Sequence, residues 1–283
     1  MEKNSIGDAT TTGKVFLITG ASRGFGKIWA ETFLKRGDKV AATARNLGHL
    51  NDLVEQYGDA MLPIKLDVNS REQCFDAVRQ TENHFGRIDV LINNAGYGLF
   101  GAIEETSEQE AREQIETNFF GVLWMSQAVL PLMREQKSGH IIQMSSMLGL
   151  VALPVLGLYN ASKFAVEGFT ETLALEVADF GIKVTLIEPN GYSTDWAGAS
   201  AIQTIQTETY APLKKAFSES APPDVWGKPE ATVDAIVKLV DSANPPLRLL
   251  LGKVAYSLVK QNYDKRLASF EEWKEVSEAA HGS

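Results

Sequence analysis

Lys14-Val15-Phe16-Leu17-Ile18-Thr19-Gly20-Ala21-Ser22-Arg23-Gly24-Phe25-Gly26-Lys27 decides the fold. Lys14 to Thr19 is a short apolar run, the mark of a buried strand. Three glycines follow within Gly20–Gly26, and then a helix-like segment from Lys27 to about Lys35. Strand, glycine turn and helix together form a cradle for phosphate. The glycines let the backbone approach the ligand, and the helix N-terminus offers unpaired N–H groups and a positive dipole end. Three readings of the turn compete. Its spacing, G-x-x-x-G-x-G, differs from the common dinucleotide fingerprint G-x-G-x-x-G. A P-loop would need Gly at position 21 and Ser or Thr at 28, where the chain has Ala21 and Ile28. Gly20-Ala21-Ser22-Arg23-Gly24 also fits the G-x-S-x-G elbow of hydrolases, with Ser22 as nucleophile.

Outward from this stretch, apolar runs recur at Lys39–Thr43, Leu62–Leu66, Asp89–Ile92, Gly139–Met144, Ile182–Ile187 and Leu247–Leu251. Segments of helical length separate them, at about 47–57, 71–85, 108–136, 159–180 and 229–241. This alternation predicts an α/β fold: a doubly wound parallel sheet with helices on both faces. Ligands in such sheets bind beyond the carboxyl ends of the strands, where Ser22, Arg45, Asp67 and Asn94 fall. Without a repeat or a low-complexity linker, residues 1–283 read as a single domain. Residues 195–227 lack a clear strand and read as a substrate lid with short helices. The polar tail from Lys260 reads as a surface helix.

Several side chains carry chemistry. Dinucleotide binders often place a carboxylate after the second strand to bond the ribose 2′-hydroxyl. Here Ala44 and Arg45 stand there, and Arg23 lies within the glycine turn. Two guanidiniums without a carboxylate suit a 2′-phosphate, and so NADP over NAD. Asn118 lies among apolar neighbours inside a long helical pattern, where an unbonded amide is costly. Met147 to Leu158 is apolar, a suitable pocket wall. Tyr159 and Lys163 follow, one helical turn apart on one face. A cation beside a phenol favours the phenolate and makes tyrosine usable as a general acid and base.

Composition narrows the remaining choices. The 283 residues are 44% hydrophobic and 22% charged, enough for a large core, and the net charge of −9 argues against nucleic acid as a partner. The one cysteine, Cys74, excludes an intrachain disulfide and a thiolate metal cluster and reads as a core residue. His49, His84, His140 and His281 show no metal-ligand spacing, so no metal is expected. Met1–Thr12 has no apolar stretch of a leader, and no run approaches the ~20 residues of a membrane span. A cytoplasmic protein without membrane contact is the expectation.

Together, Thr19-Gly20-Ala21-Ser22-Arg23-Gly24-Phe25-Gly26, Asn93-Asn94-Ala95-Gly96, Asn118, Ser146 and Tyr159-x-x-x-Lys163 resemble the short-chain dehydrogenase/reductase family. The resemblance covers roughly residues 14–195. It implies a Rossmann-like sheet of seven parallel strands ordered 3-2-1-4-5-6-7, a nicotinamide cofactor and hydride transfer at a carbonyl carbon. It makes Tyr159 the general acid or base, with Lys163 lowering its pKa and bonding the nicotinamide ribose. Ser146 holds the substrate oxygen, and Asn118 holds a water that links Lys163 to solvent. Gly20, Ser22, Arg23, Phe25, Asp67, Val68, Asn94, Ala95 and Gly96 line the cofactor site, and Pro189, Gly191 and Thr194 meet the nicotinamide. The family usually has Pro-Gly after the sixth strand; here Asn190 intervenes, a residue tolerant of unusual backbone angles. Asn93 to Gly98 with Glu104-Glu105 looks like the steroid- and retinol-type branch or carbonyl reductases. That implies an apolar ketone or secondary alcohol, with Leu148, Leu150, Leu153, Val155, Tyr192 and Trp196 as pocket walls. Family members commonly form dimers or tetramers through the two long helices, so a homodimer or homotetramer is expected. A hydrolase would need a histidine and an acid after Ser22 in chain order, which the scattered histidines supply poorly. A binder without catalysis would have no need of Tyr159.

Overall fold

β1 (Val15–Ile18) is buried along its whole length. Its side chains alternate between two cores, as the pleat of a strand requires. Phe16 and Ile18 enter one cluster with Trp29 and Phe33, whereas Leu17 enters another with Cys74, Met125 and Val129. A strand that is apolar on both sides needs helices on both faces. The computed structural model describes residues 13–198, 201–220 and 225–282. The N-terminal residues 1–12, where no leader is expected, and parts of the expected lid at 199–200 and 221–224 lie outside the described residues.

The chain alternates strand and helix from β1 onward. α1 (Gly24–Arg36) leads to β2 (Lys39–Ala44), α2 (Asn51–Tyr57), β3 (Met61–Lys65), α3 (Arg71–Phe85) and β4 (Val90–Asn93). Then come α4 (Glu108–Ile115), α5 (Gly121–Gln136), β5 (Gly139–Met144), α6 (Gly157–Glu176) and β6 (Ile182–Pro189). After β6 lie α7 (Ala211–Glu219), α8 (Val233–Asp241), β7 (Arg248–Leu251), α9 (Ala255–Glu272) and α10 (Lys274–Ala279). The seven strands pair in the order β3-β2-β1-β4-β5-β6-β7, all parallel, as expected for a Rossmann-like fold. No described helix is long and apolar enough to cross a membrane.

Two features depart from the expected elements. The helical pattern through 108–136 is broken by a π-helical turn at Glu116–Phe120, and Asn118 sits inside it. π turns widen a helix locally and recur at functional sites. Within the segment expected to lack strands, Ile202–Gln203 pairs in parallel with Leu99–Phe100.

Close approach at the glycine turn decides where α1 begins. A Cβ on Gly26 would lie 2.5 Å from the Gly20 carbonyl oxygen and 2.6 Å from Asn94 Nδ2. Gly26→Ala is therefore expected to destabilise the protein by about 1–3 kcal/mol through overpacking. That exceeds the ~1 kcal/mol of helix propensity that alanine brings. Urea unfolding reads the change; an unmoved or raised midpoint would show that the turn yields freely.

Candidate active site

The carboxyl ends of the strands open into one cleft of about 1230 Å³. At one end stands the glycine turn. Gly20 and Gly24 have φ of 66° and 54°, a region that favours glycine. A Cβ on Gly20 would lie 2.9 Å from Ala95 Cα, so the turn lies against the end of β4. Asn94 braces it: its Nδ2 donates to the carbonyls of Thr19 and Gly20, each at 3.0 Å. Thr19 Oγ1 accepts from the backbone N–H of Asn94 and Ala95. The N-cap of α1, Arg23, makes no side-chain capping bond, and the first turn holds no acidic residue. The first N–H groups of α1 are thus left for an anion.

Gly20, Ser22, Arg23, Phe25, Arg45, Asp67, Val68, Asn94, Ala95, Gly96, Pro189, Gly191 and Thr194 all line this cleft. Arg45 projects from the end of β2 and is exposed, with no carboxylate within ion-pair distance among the described residues. Arg23 lies 3.9 Å from Asp195, with both side chains about half exposed, a contact that water weakens. Among the described residues no histidine lines the cleft, so Ser22 lacks the base that the elbow reading requires.

At the other end Ser146, Tyr159 and Lys163 meet. β5 ends at Met144, and Ser146 caps the short turn Met147–Gly149, its Oγ accepting from the Leu148 N–H at 3.1 Å. The Ser146 hydroxyl donates to the Pro189 carbonyl at 3.4 Å. α6 begins at Gly157, placing Tyr159 and Lys163 one turn apart, and both are buried. Lys163 Nζ donates to the Met144 carbonyl at 2.7 Å and lies 5.7 Å from the Tyr159 ring centre. Burial lowers the Lys163 ammonium to about 8, with Glu167 opposing it. On Tyr159 two influences oppose each other. Burial is the largest influence and pushes the phenol up, while the Ser146 hydroxyl acts in the opposite sense.

Asn118 does not line the cleft. It stands behind it, fully buried, with its amide satisfied. Nδ2 donates to the Tyr97 carbonyl and Ser162 Oγ, and Oδ1 accepts from the Tyr97 N–H. Gly96 approaches it closely: a Cβ there would lie 3.1 Å from Asn118 Oδ1 and 3.9 Å from Lys163 Nζ.

The remaining wall is apolar. Leu148, Leu153, Val155, Tyr192 and Trp196 line it, and Trp196 lies 4.8 Å from the Tyr159 ring, centre to centre. Leu150 is a correction: it packs beneath the loop with Val151 and Ala255 instead of facing the cleft. Val155 has φ of 67°, unusual for a β-branched residue, and its carbonyl accepts from the Gly101 N–H at 2.8 Å. Phe100, Phe217 and Leu258 also line the cleft, and none was picked out from the sequence. The i, i+4 pair Val254 and Leu258 was the available signal, since it precedes the tail read as surface.

The described residues of 195–227 are fastened by polar side chains. Buried Glu105 accepts from the N–H and hydroxyl of Thr207, each at 2.8 Å, and from the Ala102 N–H. Lys214 completes the set at 2.5 Å and holds the Glu105 carboxyl low, at about 2. The Tyr210 hydroxyl donates to Glu104. Asn190 fastens the far end. Its backbone is not in the left-handed region, so conformational tolerance is not its role. Its N–H donates to the Leu251 carbonyl at 2.9 Å, and its Nδ2 donates to the carbonyls of Gly191 and Val225. Gly252 makes room, because a Cβ there would fall 1.4 Å from Asn190 Oδ1.

The family described as short chain dehydrogenase matches residues 14–204. Oxidoreductase BOA17 of Botryotinia fuckeliana is 42% identical over 94% of this chain and 99% of its own. A 3-ketodihydrosphingosine reductase of Bacteroides thetaiotaomicron is 40% identical over 87% of this chain and 90% of its own. A short-chain dehydrogenase structure from Streptomyces avermitilis is 37% identical and superimposes with a TM-score of 0.87, covering 95% and 98% of the two chains. Two further structures, each 28% identical, carry cofactor. One from Burkholderia cenocepacia is in complex with NADP (TM-score 0.72, 92% and 97% covered). A 3-ketoacyl-(acyl-carrier-protein) reductase from Brucella melitensis is complexed with NADH (TM-score 0.74, 85% and 97% covered).

Asn190→Gly removes two side-chain bonds and frees the backbone, so it is expected to cost about 1–2 kcal/mol in urea unfolding. Limited proteolysis within 195–227 should quicken in parallel. Unchanged stability and cleavage would show that Asn190 fastens nothing.

Proposed function

The chain belongs to the short-chain dehydrogenase/reductase family of oxidoreductases, and from that premise we propose the following reaction. It transfers a hydride between NADP(H) and the carbonyl or hydroxyl carbon of an apolar ketone or secondary alcohol, with Tyr159 as general acid and base. The observation that carries this reading is the meeting of Ser146, Tyr159 and Lys163 in a cleft whose other end is the glycine turn and the open N-terminus of α1.

These residues fit a nicotinamide dinucleotide. The uncapped N–H groups of α1 suit its pyrophosphate, and Arg23 and Arg45 suit a 2′-phosphate because no carboxylate follows β2. The bound cofactor supplies or accepts the hydride. The protein's own share is the proton and the electrostatics. Tyr159 gives its phenolic proton to the substrate oxygen as the carbonyl is reduced, and takes it back in oxidation. Ser146 donates a hydrogen bond to that oxygen as charge gathers on it. Lys163 favours the phenolate once Tyr159 has given up its proton. A water held by Asn118 and linking Lys163 to solvent would replace the proton.

Leu148, Leu153, Trp196 and Phe217 support an apolar substrate. A relative named for reduction of a 3-keto compound supports a ketone. Residues 195–227 act as the lid over it. On the family analogy the protein is a homodimer or homotetramer joined through α4, α5 and α6.

Tyr159→Phe is expected to retain NADPH binding by fluorescence and to lose turnover of a ketone by about 10²–10⁴-fold. Undiminished reduction by that variant would remove Tyr159 from the mechanism. Arg45→Asp should raise the KM for NADPH about 10–100-fold, with NADH much less affected, as expected for loss of a charged hydrogen bond. An unchanged ratio would refute the 2′-phosphate assignment.

A further inference from the structure

Four titratable side chains follow one another a turn apart along α6: Tyr159, Lys163, Glu167 and Glu171. Such i, i+4 residues share one face of a helix. The first two belong to the active site. Glu167 is the next step inward from it, and it is buried, 5% exposed.

Every element packed around Glu167 brings a polar group to it. From its own helix come Lys163 and Glu171. From the end of β5 comes Ser145: a Cβ on Gly149 would lie 2.7 Å from Ser145 Oγ and 3.1 Å from Glu167 Oε1, so the two converge on the space that glycine leaves. From β6 comes Glu188, fully buried. From β7 comes Arg248, whose Nε lies 3.1 Å from Glu167 Oε2 and 3.4 Å from Glu188 Oε1. Its Nη2 is turned outward to Glu171, 3.2 Å away.

Two buried carboxyl groups therefore share one guanidinium, itself divided with a third. Two adjacent anions in such surroundings do not both stay ionised. Glu188 is the one to keep its proton. It is the more buried and farther from Arg248, and neither of its oxygens takes a well-formed hydrogen bond among the described residues. Glu167 has the shorter contact with Arg248 and stands one turn from Lys163.

We infer that Glu188 holds a proton at neutral pH and that the charge thereby left on Glu167 keeps Lys163 an ammonium, making Glu167 a positioning residue for the Tyr159–Lys163 pair. Burial acts on all three groups, and on Glu167 the nearer Arg248 opposes it. Burial raises both carboxyl groups, Glu188 to about 8, and it lowers Lys163 to about 8 while Glu167 works against that fall. Removing the Glu167 charge removes the opposition, so Lys163 must then lose its proton at lower pH.

The inference rests on the reading that Lys163 serves Tyr159, but its test does not need turnover. The full chain is labelled with ¹³C at lysine Cε and glutamate Cδ and titrated by NMR. In the parent protein the Glu188 resonance should remain that of a carboxylic acid at neutral pH. In Glu167→Gln the Lys163 midpoint should fall by about one pH unit, a typical effect of a neighbouring charge. In Glu188→Gln, which replaces one neutral group by another, it should stay near the parent's. An ionised Glu188 in mildly acidic solution overturns the inference without any variant, even if Glu167→Gln does not fold. So does a Lys163 midpoint that coincides in Glu167→Gln and parent, or that falls equally in both variants. A parent protein that titrates as described yet reduces no ketone would instead refute the proposed reaction and leave the charge relation standing.

Discussion

A buried ammonium must find an acceptor, and Lys163 finds the Met144 carbonyl at 2.7 Å. That contact ties α6 to the end of β5. Once it is made, Tyr159 one turn earlier stands over the cleft, and Ser146, two residues past Met144, faces it. The carbonyl is available because β5 stops there: Met144 pairs with Ile187 of β6, and beyond it the chain turns to let Ser146 cap Met147–Gly149. The charge of a lysine at this place is favoured by that fixed dipole and by Glu167 one turn on. The site is therefore as much a product of strand termination as of the helix.

This explains why much of the molecule was legible in sequence. Parallel strands buried on both faces are written as plain apolar runs, and Val15–Ile18, Val90–Asn93 and Gly139–Met144 lay within a residue or two of where the runs placed them. Every turn at the carboxyl edge then had to face one cleft, which gathers Ser22, Arg45, Asp67 and Asn94 without further information. Asn118 was visible as an anomaly because a buried amide demands partners. Its π turn was not visible, because the partners, Tyr97 and Ser162, lie far off in sequence.

What stayed hidden depends on contacts with no local signature. The two-residue pairing of Leu99–Phe100 with Ile202–Gln203 has no periodicity to read. It needs Gly98 and Gly101 to admit Trp196 and Thr204, since a Cβ at Gly101 would fall 1.9 Å from Thr204 Oγ1. Glu105 is likewise an ordinary acidic residue in sequence and a buried anchor in the fold. The burial of Tyr159 was hidden for the same reason. Spacing shows that a cation is near, but only burial shows how strongly the phenol resists ionisation.

The same division separates chemistry from selectivity. Ser146, Tyr159 and Lys163 are held by the sheet and by α6, elements whose register cannot slip without exposing the core. The apolar wall over them is held differently. The described residues of 195–227 are fastened by Glu104, Glu105 and Asn190 through a handful of polar bonds, and the Met147–Leu158 stretch carries a valine in a strained backbone region. Each such bond is worth only about 0.5–3 kcal/mol, so one substitution can reshape the wall while Tyr159 and Lys163 stay in place.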